Sequence, residues 1–178
     1  MKETERLLSR FTWEMPQSFL GYLTGSISNT LYAVKNVAYY GGATVITYKG
    51  KFGAFTLGSF INGGRNLHAV PDNALFQHEY GHYLQSQSSG LFYMYRYGIP
   101  GLIDAASKSK HRKFVTEQDA NIRAFKYFHK HAPEFDIGKI NGTDWKFSIN
   151  PIVGYDNSKP IDDTSNQDAL KNGLMSWR

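Results

Sequence analysis

The sequence contains no cysteine and no long apolar run, and each absence excludes a class of protein. Without cysteine the chain has no disulfide, no thiolate ligand and no cysteine nucleophile, so any metal must be held by nitrogen and oxygen atoms. Its most apolar stretch, residues 19–37, is interrupted by polar residues and a lysine, and it is therefore not a membrane span. No signal peptide is visible after Met1, and the sequence leaves the localisation unknown.

The composition predicts a folded protein with one hydrophobic core. The chain has 178 residues, of which 41% are hydrophobic and 15% aromatic, and these values disfavour disorder over the whole length. We expect a single domain over residues 1–153. Residues 154–178 are rich in Asp, Asn, Ser and Lys, so we expect them to form an extended or poorly ordered polar tail.

Runs typical of strands are followed by runs typical of helices, which predicts an α+β fold. Residues 43–48 and 52–61 are rich in β-forming residues, and the short turn at residues 49–51 predicts that they pair as a hairpin. A helix then starts with Asp72 or Asn73 as its cap and runs to about Ser88, with Gly90 just past its end. Earlier in the chain, Pro16 is expected to interrupt any helix that continues into residues 19–23.

A second long helix is predicted after residue 115. Thr116 and Asp119 have the spacing of a capping box, and the helix should continue to about His129 and stop before Pro133. Residues 145–149 are a further predicted strand.

Inside the first of these two helices, His78, Glu79 and His82 form an H-E-x-x-H pattern. Histidines four residues apart lie on one helix face, about 6 Å apart along the axis, so both imidazoles can face one metal ion. Glu79 lies about 100° around the axis from His78, where it can reach a metal-bound water and act as a general base. The alternative is a pair of buried, hydrogen-bonded histidines, which would cost stability without a metal.

A catalytic zinc site needs a third protein ligand, and Glu117 is the candidate. It begins a stripe of the second helix that continues with Asn121, Ala124 and Phe128, and a carboxylate on such a face needs a charged partner. Asp119 is the rival ligand, although it points about 200° away from Glu117. Asn121 can accept a hydrogen bond from the outer N–H of a ligating histidine and so fix its tautomer.

Residues 78–82 (HEYGH) and 117–121 (EQDAN) together resemble the motifs of zincin metallopeptidases of the gluzincin kind. Asn121 departs from the pattern of those enzymes, which often have an aspartate there. The segments at residues 13–17, 41–44, 53–59 and 75–86 are also similar to C-terminal domains of bacterial RHS-repeat proteins. This second similarity covers roughly residues 12–151.

The resemblance implies a small zincin-like domain in which a hairpin or mixed sheet packs on the two helices. It implies a peptidase that holds one zinc ion per chain with His78, His82 and Glu117 and uses Glu79 as its base. The RHS similarity implies an effector or toxin-like domain exported as part of a larger bacterial protein, with a protein or peptide substrate and a cognate immunity protein as partner.

Zincins usually line the cleft with a strand that lies upstream of the metal helix and pairs with an extended substrate. Residues 54–61 are in that position, and Ser59 and Phe60 near their end are the candidate substrate-binding residues. An oxyanion formed during hydrolysis needs a hydrogen-bond donor, and six residues are candidates. These are Tyr93, Tyr95, Tyr97, Tyr155, His129 and His131.

The net charge of +5 is concentrated in residues 105–131, which contain seven basic and two acidic residues. A solvated helix face explains this best, because lysine and arginine usually occupy such faces, and we do not expect nucleic acid as the partner. The competing hypothesis is a metal-stabilised, non-catalytic domain that binds nucleic acid or an acidic protein through this basic segment.

Overall fold

The computed structural model of the protein describes residues 3–106, 114–132, 152–156, 158–160 and 162–174. These residues form six α-helices and four β-strands, which confirms the predicted α+β class. The helices are α1 (Glu3–Ser9), α2 (Met15–Thr30), α3 (Ala74–Ser89), α4 (Ile99–Ala106), α5 (Val115–His131) and α6 (Thr164–Asn172). The strands are β1 (Val34–Tyr40), β2 (Ala43–Tyr48), β3 (Ala54–Leu57) and β4 (Phe60–Gly63). A 3-10 turn (Gly90–Phe92) and a π-helical turn (Met94–Gly98) connect α3 to α4.

The strands form one mixed sheet in the order β1-β2-β4-β3. β1 and β2 are antiparallel across a tight turn at Gly41 and Gly42, which both have positive φ. β2 runs parallel to β4, and β3 pairs with the other side of β4, so β3 lies at the sheet edge. The predicted hairpin between residues 43–48 and 52–61 is therefore wrong. Gly58, at φ +56°, turns the second run back on itself, and β4 rather than β3 reaches β2.

Helices cover both faces of this sheet. Val45 of β2 belongs to the hydrophobic core that contains Phe76 of α3 and Phe128 of α5. The next residue, Ile46, points to the opposite face, where its side chain meets Gly25 of α2. The sheet therefore separates α2 on one side from α3 and α5 on the other.

The first predicted helix, α3, begins and ends where the sequence indicates. The side-chain oxygen of Asn73 accepts a hydrogen bond from the Phe76 N–H at 2.9 Å, which caps the first turn. Gly90 follows the last turn with a φ of 53°, a value that suits glycine.

As expected, the helical chain is interrupted near Pro16: α1 ends at Ser9 and α2 begins at Met15, with Pro16 in its first turn, where a missing N–H costs nothing. Two other expectations about helices are wrong. α5 begins at Val115 without a side-chain cap, because its N-cap residue, Phe114, has no side-chain acceptor and Asp119 forms its hydrogen bonds elsewhere. The segment 154–178, expected to be extended or poorly ordered, contains α6, whose Leu170 is buried.

The predicted strand at residues 145–149 lies outside the described residues. None of the helices in the described ranges is long and apolar enough to cross a membrane.

The packing of α3 on α5 depends on Gly81. A Cβ atom at this position would lie 2.1 Å from the backbone oxygen of Ala120, so the two helix backbones approach closely at this point. The contact lies between the two predicted metal-ligand motifs, since Gly81 precedes His82 and Ala120 follows Glu117 by three residues.

We predict that Gly81→Ala lowers the free energy of unfolding by about 1–3 kcal/mol, because forcing apart two packed backbones outweighs the gain of about 1 kcal/mol in helix propensity. Urea denaturation measures the change. Gly101→Ala in α4 is the matched control, since no described atom beyond its chain neighbours and its own helix backbone lies within 4 Å of the added methyl group, and it should leave stability unchanged or raised. Equal effects at the two positions would contradict the packing argument.

Candidate metal centre and cleft

The structure brings together the three candidate ligands from α3 and α5. The Nε2 atoms of His78 and His82 are 3.3 Å apart. One carboxylate oxygen of Glu117, Oε2, lies 3.1 Å from His78 Nε2 and 3.6 Å from His82 Nε2. Among the described residues, these three side chains form a group that could hold a metal ion.

Each imidazole is held from behind by an amide. Asn121, which is fully buried, places its Oδ1 2.9 Å from His78 Nδ1, as the sequence predicts. Gln85 places its Oε1 2.8 Å from His82 Nδ1. Because a carbonyl oxygen only accepts hydrogen bonds, both Nδ1 atoms donate, and in the neutral tautomer each Nε2 presents a lone pair to the centre of the triad.

Gln85 is a site residue that sequence reasoning missed. Its amide orientation is fixed, because Nε2 donates at 2.7 Å to the Thr116 carbonyl and at 2.8 Å to Asp119 Oδ2, and both partners are acceptors. Asp119 is fully buried and also accepts from Arg123 Nε at 2.7 Å. The rival ligand Asp119 therefore supports His82 through Gln85 and does not point at the triad.

Glu79 lies beside the triad and is anchored to the sheet. Its carboxylate Oε2 accepts a hydrogen bond from the Thr56 hydroxyl at 2.7 Å, and the side chain is buried. Thr56 belongs to the edge strand β3, so the candidate base is held by the strand expected to line the cleft.

The electrostatics of the triad favour a positive charge between its members. Burial disfavours the His82 imidazolium, but the hydrogen bond and negative charge of Glu117 outweigh this and raise the pKa of His82 to about 9. Burial also opposes ionisation of Glu117, yet hydrogen bonds from His78 and His82 lower its pKa well below the usual range. The carboxylate of Glu117 therefore stabilises a positive charge on His82.

A cleft of about 420 Å³ opens next to these residues. One wall is β3, and the other is the turn that connects α3 to α4. The lining is mostly apolar and includes Phe55, Leu57, Tyr93, Met94 and Tyr97 as well as Glu79, the two histidines and Glu117.

Ser59 and Phe60 do not line this cleft. Ser59 is fully buried, and its backbone N–H donates at 3.0 Å to the Ser18 hydroxyl of α2. Phe60 packs against Tyr22, also from α2, with ring centroids 6.2 Å apart. The candidate substrate contacts therefore move from these two residues to the strand Ala54–Leu57.

Of the six candidate oxyanion donors, only Tyr93 and Tyr97 are among the described residues that line the cleft. Burial and the negative charges of Glu79 and Glu117 raise the pKa of Tyr93, so its phenol keeps its proton. Burial, followed by the charge of Asp119, raises the pKa of Tyr97, so its phenol also keeps its proton. The other four lie elsewhere: Tyr95 is exposed, His129 and Tyr155 pack on Phe125, and His131 packs on Tyr127.

The basic segment is only partly within the described residues, since 107–113 lie outside them. In α5, Arg123 is paired with the buried Asp119, whereas Lys126 and Lys130 are exposed. Of the three lysine and arginine residues that the structure describes in this segment, two are therefore exposed to solvent.

No protein-family model, curated protein or solved structure matches this chain. The function is therefore inferred from the geometry and chemistry of the site itself.

We predict that Gln85→Leu weakens zinc binding about 10- to 100-fold, because the substitution leaves the His82 Nδ1–H without an acceptor and frees the imidazole to rotate. Competition with a chromophoric chelator measures the affinity. Gln77→Leu is the matched control in the same helix, since Gln77 binds the Pro71 carbonyl and neither histidine. Unchanged affinity in Gln85→Leu would show that Gln85 does not orient His82.

Proposed function

We propose that the protein is a zinc-dependent metallopeptidase of the gluzincin kind, in which His78, His82 and Glu117 hold the metal and Glu79 is the general base. The observation that carries the proposal is the triangle formed by two Nε2 atoms and one carboxylate oxygen, with a buried carboxylate beside it and an open cleft in front.

The dimensions of this triangle support zinc. Ligand atoms that bind one zinc ion at about 2.0–2.1 Å with tetrahedral angles lie about 3.3–3.4 Å apart. The three sides of the triangle are 3.1, 3.3 and 3.6 Å, so little movement is needed to bind the ion. Two imidazoles and one carboxylate are also a usual donor set of catalytic zinc, which keeps a fourth position for water or substrate.

The proposed chemistry divides between the metal and the protein. A bound zinc ion would supply a Lewis acid, which lowers the pKa of water and polarises the scissile carbonyl. Glu79 accepts the proton of the attacking water and delivers it to the leaving amide nitrogen. The Thr56 hydroxyl holds one oxygen of Glu79, so the other oxygen keeps a fixed position during both transfers.

Tyr93 is the proposed donor to the carbonyl oxygen as negative charge develops there. It lies in the cleft wall opposite β3, is almost fully buried, and has a raised pKa that keeps the hydroxyl protonated. A preorganised hydroxyl of this kind stabilises the transition state more than the ground state.

The substrate in this proposal is an extended peptide. β3 is an edge strand, and its open edge can accept a further strand through backbone hydrogen bonds. Phe55, Leu57 and Met94 favour an apolar side chain next to the scissile bond. Such a domain suits the effector or toxin role implied by the RHS resemblance, for which a cognate immunity protein would be the expected partner.

We predict that Glu79→Gln retains about one zinc ion per chain but lowers peptide hydrolysis by about 10²- to 10⁴-fold, because the amide cannot accept the proton. His82→Ala should lose both zinc and activity, and the exposed loop residue His68 provides a matched control, His68→Ala, that keeps both. Elemental analysis and a fluorogenic peptide library measure the two properties. Full activity in Glu79→Gln would refute the assignment of the base.

For Tyr93 we predict that Tyr93→Phe reduces kcat about 10²- to 10³-fold and leaves zinc affinity within a factor of two, roughly the loss seen when one oxyanion donor is removed. Tyr95→Phe, two residues further on at an exposed position, should behave like the unmodified protein. Steady-state kinetics on one peptide substrate compare the two variants. A change in KM with unchanged kcat would assign Tyr93 to substrate binding instead.

A further inference from the structure

Helix α2 shows an inverted pattern of burial. Its buried residues are small or polar, namely Gln17, Ser18, Gly21 and Gly25. Its large apolar residues all face outward, with Phe19 54% and Ile27 59% exposed. This outward set, which we call the α2 face, consists of Met15, Phe19, Leu20, Tyr22, Leu23 and Ile27.

Close packing of α2 on the sheet explains how this pattern arises. A Cβ at Gly21 would lie 2.6 Å from the Leu57 carbonyl oxygen, and one at Gly25 would lie 2.4 Å from the Ile46 side chain. The helix therefore lies directly on the strands, and the sheet leaves no space for large side chains between them. An amphipathic surface helix normally turns its apolar stripe toward the core, so the α2 face is an unusual exposed apolar surface.

The charged residues that follow this face in the sequence are basic, and Arg10 is the charged residue that lines the groove beside it. α2 itself contains no charged residue, and from Met15 to Pro71 the sequence has four basic residues and no acidic one. Glu14, immediately before the helix, is fully buried and adds no carboxylate to the surface. Two exposed lysines, Lys35 and Lys49, follow α2 in the chain. The backbone N–H of Lys49 donates at 2.9 Å to the carbonyl of Ala33, three residues beyond the end of the helix.

We propose that the α2 face binds the surface of an anionic lipid bilayer, with its apolar side chains in the interfacial region and the neighbouring lysines against the lipid phosphates. Helices that lie in a bilayer interface present leucine and aromatic side chains to the acyl boundary and gain further binding from basic residues.

A groove next to the α2 face strengthens the match to lipid. It has a volume of about 350 Å³ and apolar walls formed by Phe11, Met15, Phe19 and Phe60. The guanidinium of Arg10 lies over the Phe60 ring, 5.8 Å from its centroid, so a positive charge stands beside an apolar slot. A lipid would be complementary to this groove, with its acyl chain in the apolar slot and its negatively charged phosphate next to Arg10.

Lipid binding would leave the cleft open, because α2 and α3 lie on opposite faces of the sheet. Lipid binding and the proposed peptidase activity would therefore be independent of each other. If both hold, the protein would cleave substrates while held at a membrane surface.

The test is co-sedimentation of the full chain with vesicles of phosphatidylcholine alone and with added phosphatidylglycerol. We expect binding to the anionic vesicles, decreasing with salt, and at least a 10-fold loss of partitioning in the double variant Phe19→Glu with Leu23→Glu. The matched control is Val115→Glu with Val153→Glu, two valines that are each 55% exposed and lie away from α2, and it should bind like the unmodified protein. Zinc content and peptide hydrolysis should be the same in all three proteins.

Lack of binding to anionic vesicles, or equal loss in the two double variants, would overturn the proposal. Circular dichroism checks that each variant is folded, and Lys35→Gln with Lys49→Gln, which leaves the apolar face intact, should lower binding several-fold. Light scattering tests whether a second copy of the chain occupies the α2 face instead. A dimer that the Phe19→Glu, Leu23→Glu variant dissociates, without vesicle binding, would assign the face to another copy of the chain and overturn the lipid proposal.

Discussion

The contact between the backbones of α3 and α5 at Gly81 and Ala120 determines the geometry of the whole site. Two helices that carry ordinary side chains at their crossing lie 8–10 Å apart, and a glycine at the contact brings them closer. At this separation the carboxylate of Glu117 reaches both His78 and His82 within 3.6 Å. The geometry of the three candidate ligands is thus a product of helix packing, which explains why a glycine stands inside α3 despite its low helix propensity.

The second constraint is the position of β3. Its Thr56 holds Glu79, while the strand also forms the edge of the sheet and one wall of the cleft. A substrate that pairs with this edge would therefore be placed relative to the base by one element. Because Thr56 links the strand to Glu79, a substrate paired with β3 would have few positions open to it relative to the proposed base.

Local signals in the sequence predicted the parts of the structure that depend on local interactions. The cap at Asn73, the end of α3 at Gly90 and the ligand spacing of the H-E-x-x-H pattern all lie within one helix and need no tertiary information. The order of the strands does need it, because the parallel pairing of β2 with β4 joins residues separated by an intervening strand. β1 was missed because its mostly exposed residues alternate poorly between apolar and polar.

Glu117 and Asn121 were predictable because an inward stripe of a helix rarely carries a carboxylate and an amide. Gln85 was not, because one more glutamine in a polar helix gives no signal until its partners on α5 are known. Ser59 and Phe60 were misplaced for a related reason. The turn at Gly58 sends the chain from the cleft side of the sheet toward α2, and nothing in the run of residues 52–61 other than that glycine marks the change.

The use of amides rather than carboxylates behind both histidines has a consequence for the total charge of the centre. Asn121 and Gln85 are neutral, and Asp119, which accepts a hydrogen bond from Gln85, is paired with Arg123. Among the described residues, the carboxylates that line the cleft with the two histidines are those of Glu117 and Glu79, whose formal charges together equal that of one divalent cation. With such a cation bound as proposed, the centre would have no net charge, so its charge alone would not favour basic over acidic substrates.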